Sequence, residues 1–155
     1  MAVDVGAQAP DFTLPDQDRE PVTLSTLRGR PVVLAFFPAA FTSVCTKELC
    51  TFRDSLAQLS QANAAVFGIS ADGPWVLKEF AARQHLNFRL LSDFFRTTTE
   101  QYGVAQTEGM FKGIPKRAVF VLDGQGIVRH KEITANPGVE PDYGRVFATL
   151  DGIRP

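Results

Sequence analysis

The chain has 155 residues, 45% of them hydrophobic, and a formal net charge of −1 from 16 Lys and Arg against 17 Asp and Glu. This is the profile of one soluble globular domain over residues 1–155, and the balanced charge lacks the electrostatic footprint of a nucleic-acid or membrane binder. The N-terminus has no basic segment followed by a long apolar one, and the most apolar run, Val32 to Phe41, is broken by Pro38 and too short to span a bilayer, so the expected location is the cytoplasm.

In chain order, PDFTLPDQDREPVTL, Pro10 to Leu24, has short alternating segments around a polar DQDRE turn and predicts a β-hairpin. STLRGRP follows as a loop or one helical turn. PVVLAFF, Pro31 to Phe37, is a continuous β-branched and aromatic run, as expected of a strand buried on both faces of a sheet. From Cys45, the residues Leu49, Phe52, Leu56 and Leu59 follow at +4, +7, +11 and +14, one face of an amphipathic helix expected from about Ser43 to Asn63. AAVFGIS, Ala64 to Ser70, predicts a second buried strand, and GPWVLKEFAARQH, Gly73 to His85, a helix with Pro in its first turn. FRLLSD reads as a short strand and FFRTTTEQYGV as a short helix ending near Gly103. Strands Ala118 to Leu122 and Ile127 to Ile133 flank an Asp-Gly turn, ANPGVEPD (Ala135 to Asp142) is linker-like, and a last helix covers about Asp142 to Leu150. Alternating strands and helices imply an α/β chain of thioredoxin-like class: a central mixed sheet flanked by helices on both faces, with an N-terminal β-hairpin extension.

Both cysteines of the chain lie in PAAFTSVCTKELC, Pro38 to Cys50, with four residues between them. Two thiols are too few for a secreted disulfide framework, and in a reducing compartment such a pair is more often catalytic or metal-binding than structural. Pro38 ends the strand, and Thr42 or Ser43 suits the N-cap of the helix. With Thr42 as cap, Cys45 is at N3, where unpaired N–H groups and the positive end of the helix dipole favour a negative group. Helix N-termini and nearby cations lower a cysteine pKa from about 8.5 to roughly 3.5–7.5, so Cys45 is placed to be a thiolate. The alternative is a buried apolar cysteine leading the Leu49–Phe52 stripe.

Cys50, five residues on, is turned about 140° from Cys45, with its Cα roughly 8.7 Å away in an unbroken helix. A disulfide needs Cα atoms about 4.4–6.8 Å apart. The two can bond only if the first turns unwind, which points to a bond made during a cycle; an incidental surface thiol is the alternative for Cys50. A zinc site does not fit, because Cys-x4-Cys matches no usual finger spacing and His85 and His130 are far away in sequence. No phosphate-binding loop follows a strand, so neither a metal nor a nucleotide cofactor is expected.

FFPAAFTSVCTKE resembles the active-site segment of the peroxiredoxins, Pro-x-x-x-Thr/Ser-x-x-Cys, filled by Pro38, Thr42 and Cys45. GAQAPDFTLPD, FGISAD, FRLLSDF and KRAVFVLDGQGIVRH match further segments in the same order, with Arg117 at the position of the family's second cation. The resemblance implies a thiol peroxidase without a cofactor. In it the Cys45 thiolate attacks hydrogen peroxide or an alkyl hydroperoxide and becomes a sulfenic acid. Pro38 would shield the thiolate, Thr42 would hydrogen-bond the peroxide, and Arg117 would lower the Cys45 pKa and stabilise developing charge. Glu48 is either a support for that arginine or a solvated helical carboxylate.

Around FFPAAFTSVC and LLSDF the chain is similar to the one-cysteine alkyl hydroperoxide reductase E type, whose members resemble homodimers. Cys50 has the spacing of the resolving cysteine in the bacterioferritin-comigratory (Q-type) subgroup, often monomeric. By that analogy Cys50 resolves the sulfenic acid and thioredoxin or a glutaredoxin-like reductant reduces the disulfide; otherwise an external thiol, or a redox-relay role, takes its place. Phe41, Phe94 and Phe95 are either core aromatics or an apolar surface favouring lipid or alkyl peroxides.

Overall fold

The computed structural model describes residues 3–55, 59 and 62–153. Thr13–Pro15 (β1) and Pro21–Thr23 (β2) form the expected antiparallel hairpin. Its turn is tied by Asp16, whose Oδ1 accepts from the backbone N–H groups of Asp18 and Glu20. A 3-10 turn, Leu24–Leu27, leads to Val32–Phe36 (β3), every residue of which is buried. After Ser43–Asp54 (α1) come Ala65–Ser70 (β4), Pro74–Arg83 (α2) and Arg89–Ser92 (β5). Thr97–Gln101 (α3), Ala118–Leu122 (β6), Val128–Ile133 (β7) and Tyr143–Gly152 (α4) complete the order. The expected run of α1 to Asn63 passes through residues 56–58, 60 and 61, which lie outside those described.

The main sheet has five strands in the order β5-β4-β3-β6-β7. β3 pairs parallel with β4 and antiparallel with β6, so the sheet is mixed, as the strand and helix alternation implies. Successive side chains of a strand point to opposite faces, and here both faces are covered. Val32, Leu34, Phe36, Phe120 and Leu122 share one core with hairpin residues Leu14 and Val22 and with Tyr102, the C-cap of α3. Val33, Ala35, Val119 and Val121 face Phe52 of α1 and Val146 and Leu150 of α4. Leu49 of α1 packs with Leu77 and Phe80 of α2 in a third cluster. Each fully buried Leu, Ile or Phe contributes about 1.5–3 kcal/mol of transfer free energy.

The stretch Ala135 to Asp142 does not behave as a linker. Its Pro137 carbonyl accepts from Arg117, and its Glu140 carboxylate pairs with Lys47 of α1 at 3.4 Å. Pro and Gly mark where the chain turns, but composition carries no information about what a turn packs against.

Candidate active site

The site is assembled where β3 hands the chain to α1. Pro38 follows β3, and the 38–41 segment is fixed by Asp72, whose Oδ2 accepts from the Ala40 N–H and the Ser70 hydroxyl, both at 2.8 Å. Phe41 then takes a left-handed conformation, φ 67°, uncommon for so bulky a residue. An edge-on contact with Phe80, ring centroids 5.1 Å apart, holds it there. Thr42 occupies the N-cap position with extended backbone, yet its side chain caps nothing. The Thr42 hydroxyl instead donates to the Ala39 carbonyl at 2.8 Å.

Cys45 is fully buried in the first turn of α1. Arg117, immediately before β6, reaches across the sheet end so that its Nη2 donates to the Cys45 Sγ at 2.9 Å. The same guanidinium donates from Nη1 to Glu48 Oε1 at 2.8 Å, and from Nε and Nη2 to the Pro137 carbonyl at 3.1 and 3.0 Å. The sulfur thus sits at the positive end of a helix and against a buried cation, both of which stabilise negative charge on it. Burial works against the Arg117 charge, but Glu48 and Cys45 outweigh it and hold the guanidinium above its usual value.

Glu48 is no solvated carboxylate: it is fully buried, and burial pushes its carboxyl up to about 7. Arg117 opposes that rise, while Glu140 and Glu132 add to it. The signal for this burial was present in the sequence. Residues 45, 48, 49 and 52 have the spacing of one helical face, so Glu48 falls inside the apolar stripe.

Above these groups lies a cavity of about 280 Å³ lined by residues that include Pro38, Thr42, Val44, Phe111, Ile114 and Arg117. Gln106, Phe111 and Ile114 at this cavity carried no sequence signal, because they lie in the segment between α3 and β6, which has no helical or strand periodicity. Phe41, Phe94 and Phe95 are neither core residues nor part of this lining, being 49%, 59% and 87% exposed. Apolarity alone does not bury a residue that precedes a helix start or sits in a turn. Cys50 is half-buried within α1 and both thiols are free, so the unbroken helix keeps them apart. Of the histidines, His85 is outside α2 with φ 52° and His130 is on β7, where burial lowers its pKa first of all.

Residues 5–131 match the model of the AhpC/TSA family. The chain belongs to that family. Within it, a Coxiella burnetii relative named peroxiredoxin bcp is 42% identical over 132 residues, covering 83% of this chain and 87% of its own. The chloroplastic peroxiredoxin Q of Oryza sativa subsp. japonica is 44% identical over 128 residues; that match covers 83% of this chain and 58% of the plant protein. Among solved structures, the Mycobacterium tuberculosis peroxidoxin BcpB superposes with a TM-score of 0.87 at 36% identity, covering 99% of both chains. A peroxiredoxin-like protein from Aquifex aeolicus reaches a TM-score of 0.91 at 27% identity, over 99% of this chain and 89% of the other. The thioredoxin-like class expected from the strand and helix order is the fold of these AhpC/TSA relatives. Among the described residues, no helix is long and apolar enough to cross a membrane.

Proposed function

We propose that the chain is a thiol-specific peroxidase that reduces hydrogen peroxide and organic hydroperoxides at Cys45. One observation carries the reading: the Cys45 sulfur lies at a helix start with a buried guanidinium 2.9 Å away, under a cavity that the same guanidinium lines. The Cys45 thiolate attacks the terminal peroxide oxygen, the O–O bond breaks, and the leaving oxygen takes a proton to depart as water or alcohol. Arg117, already bridging sulfur and cavity, stabilises the charge as it passes from sulfur to the leaving oxygen. The Thr42 oxygen has its hydrogen committed to Ala39, which leaves its lone pairs to accept from the peroxide O–H. Pro38 walls the cavity, and the apolar lining from Val44, Phe111 and Ile114 suits the organic part of an alkyl hydroperoxide.

The product on Cys45 is a sulfenic acid. Cys50 then attacks it after the first turns of α1 unwind, giving an intramolecular disulfide and water, and thioredoxin or a glutaredoxin-like dithiol in the cytoplasm restores both thiols. Cys45→Ser is expected to abolish peroxide consumption, and substantial remaining turnover would overturn the assignment. One equivalent of peroxide is expected to leave an intact mass lower by about two hydrogens, the mark of a disulfide closed within one chain. A stable gain of one oxygen would instead identify a one-cysteine cycle closed by an external thiol.

A further inference from the structure

Cys50 has a partner that the peroxide chemistry does not use. Its Sγ donates to Gln84 Oε1 across 3.6 Å. Gln84 is the C-cap of α2, and its backbone carbonyl accepts from Arg53 Nη1 at 2.5 Å. Arg53 is itself held by Asp54, its Nε donating to Oδ1 at 2.9 Å. A single residue at the end of α2 therefore grips α1 at Cys50 and again three residues later. Cys50 is turned about 140° around α1 from Cys45, so this grip fixes, away from the Cys45 sulfur, the thiol that has to travel.

We propose that Gln84 is a positioning residue for the resolving step, holding Cys50 docked against α2 so that its release precedes disulfide formation. The inference rests on the reading of Cys50 as the resolving thiol. In that step the Cys50 sulfur, having given up the hydrogen it shares with Gln84, attacks the sulfur of the Cys45 sulfenic acid. The S–S bond forms, the S–O bond breaks, and the oxygen leaves as water with the proton from Cys50. A sulfenic acid that waits meets a second peroxide instead: one oxygen is transferred to sulfur, the O–O bond breaks, and sulfinic acid and one water or alcohol result. Gln84 lies on neither chemical path but sets the competition between them, because each hydrogen bond that must open before Cys50 moves lowers the open population.

The test is rapid-quench mass spectrometry of the full chain mixed with hydrogen peroxide, comparing wild type with Gln84→Ala and with Gln84→Met, which keeps the side-chain length while removing the amide. Losing this weak S–H···O hydrogen bond is expected to speed disulfide formation about twofold to fivefold and to lower the sulfinic acid formed at high peroxide by a similar factor. The rate of sulfenic acid formation is expected to stay unchanged, a separation that a general loss of packing around Cys45 would not give. Unchanged disulfide rates in both variants, with wild type still forming the intramolecular disulfide, would overturn the role of Gln84 and leave Cys50 as the resolving thiol. No intramolecular disulfide in wild type would overturn the resolving reading itself, and the inference with it.

Discussion

Glu48 gives one carboxylate oxygen to Arg117, while Oε2 is buried without a hydrogen-bond partner among the described residues. Burial therefore outweighs the ion pair and holds the carboxyl near 7, above its ordinary 4.5. A raised carboxyl favours the protonated form in the folded state. Its contribution to stability is fully present below about 4.5 and is lost as pH rises through about 7. Glu48→Gln keeps an acceptor for Arg117 but cannot ionise. Relative to this variant, wild type is expected to lose on the order of 3 kcal/mol between pH 5 and 8. Urea unfolding of both proteins across that range checks it, and parallel pH curves would refute it.

At the scale of elements, α1 and α4 begin in different ways. Asp142 caps α4 with its own carboxylate, Oδ1 accepting from the Arg145 N–H at 3.2 Å, so Asp142→Ala is expected to lower stability by about 1 kcal/mol. A denaturation midpoint below that of wild type with an unchanged denaturant slope would establish that, and an equal midpoint would refute it. At α1 the Thr42 hydroxyl turns away to Ala39, and the helix start is left to the thiol and the cavity. The position of the start was legible in Pro38 and Thr42. The direction of the hydroxyl was not, since it depends on where the loop fixed by Asp72 presents the Ala39 carbonyl.

Across the whole molecule, the site depends on how closely α1 approaches the sheet. At Gly68 in β4, an added Cβ would lie 2.8 Å from Leu90 Cδ2, 3.1 Å from Phe37 Cε1 and 3.4 Å from Leu49 Cδ2. Gly68→Ala is therefore expected to overpack the seam between sheet and α1 and cost about 1–3 kcal/mol, read as a lower melting temperature. A melting temperature equal to wild type would show that the seam has room. The strands, the hairpin, the face of α1, the strand end at Pro38 and a helix start at Thr42 or Ser43 that puts Cys45 in the first turn were legible in the sequence, because period-2 and period-3.6 patterns and turn chemistry are local; the roles of Pro38 and Thr42 at the site came from the resemblance. Arg117 was found only by resemblance, since nothing local distinguishes one arginine before a strand from another. Only the tertiary structure decided that this arginine joins Cys45, Glu48 and Pro137, that loop residues Phe111 and Ile114 wall the cavity, and that Gln84 holds Cys50. Those hydrogen bonds join residues from 20 to 72 positions apart, and chain folding, not local preference, brings such groups within reach.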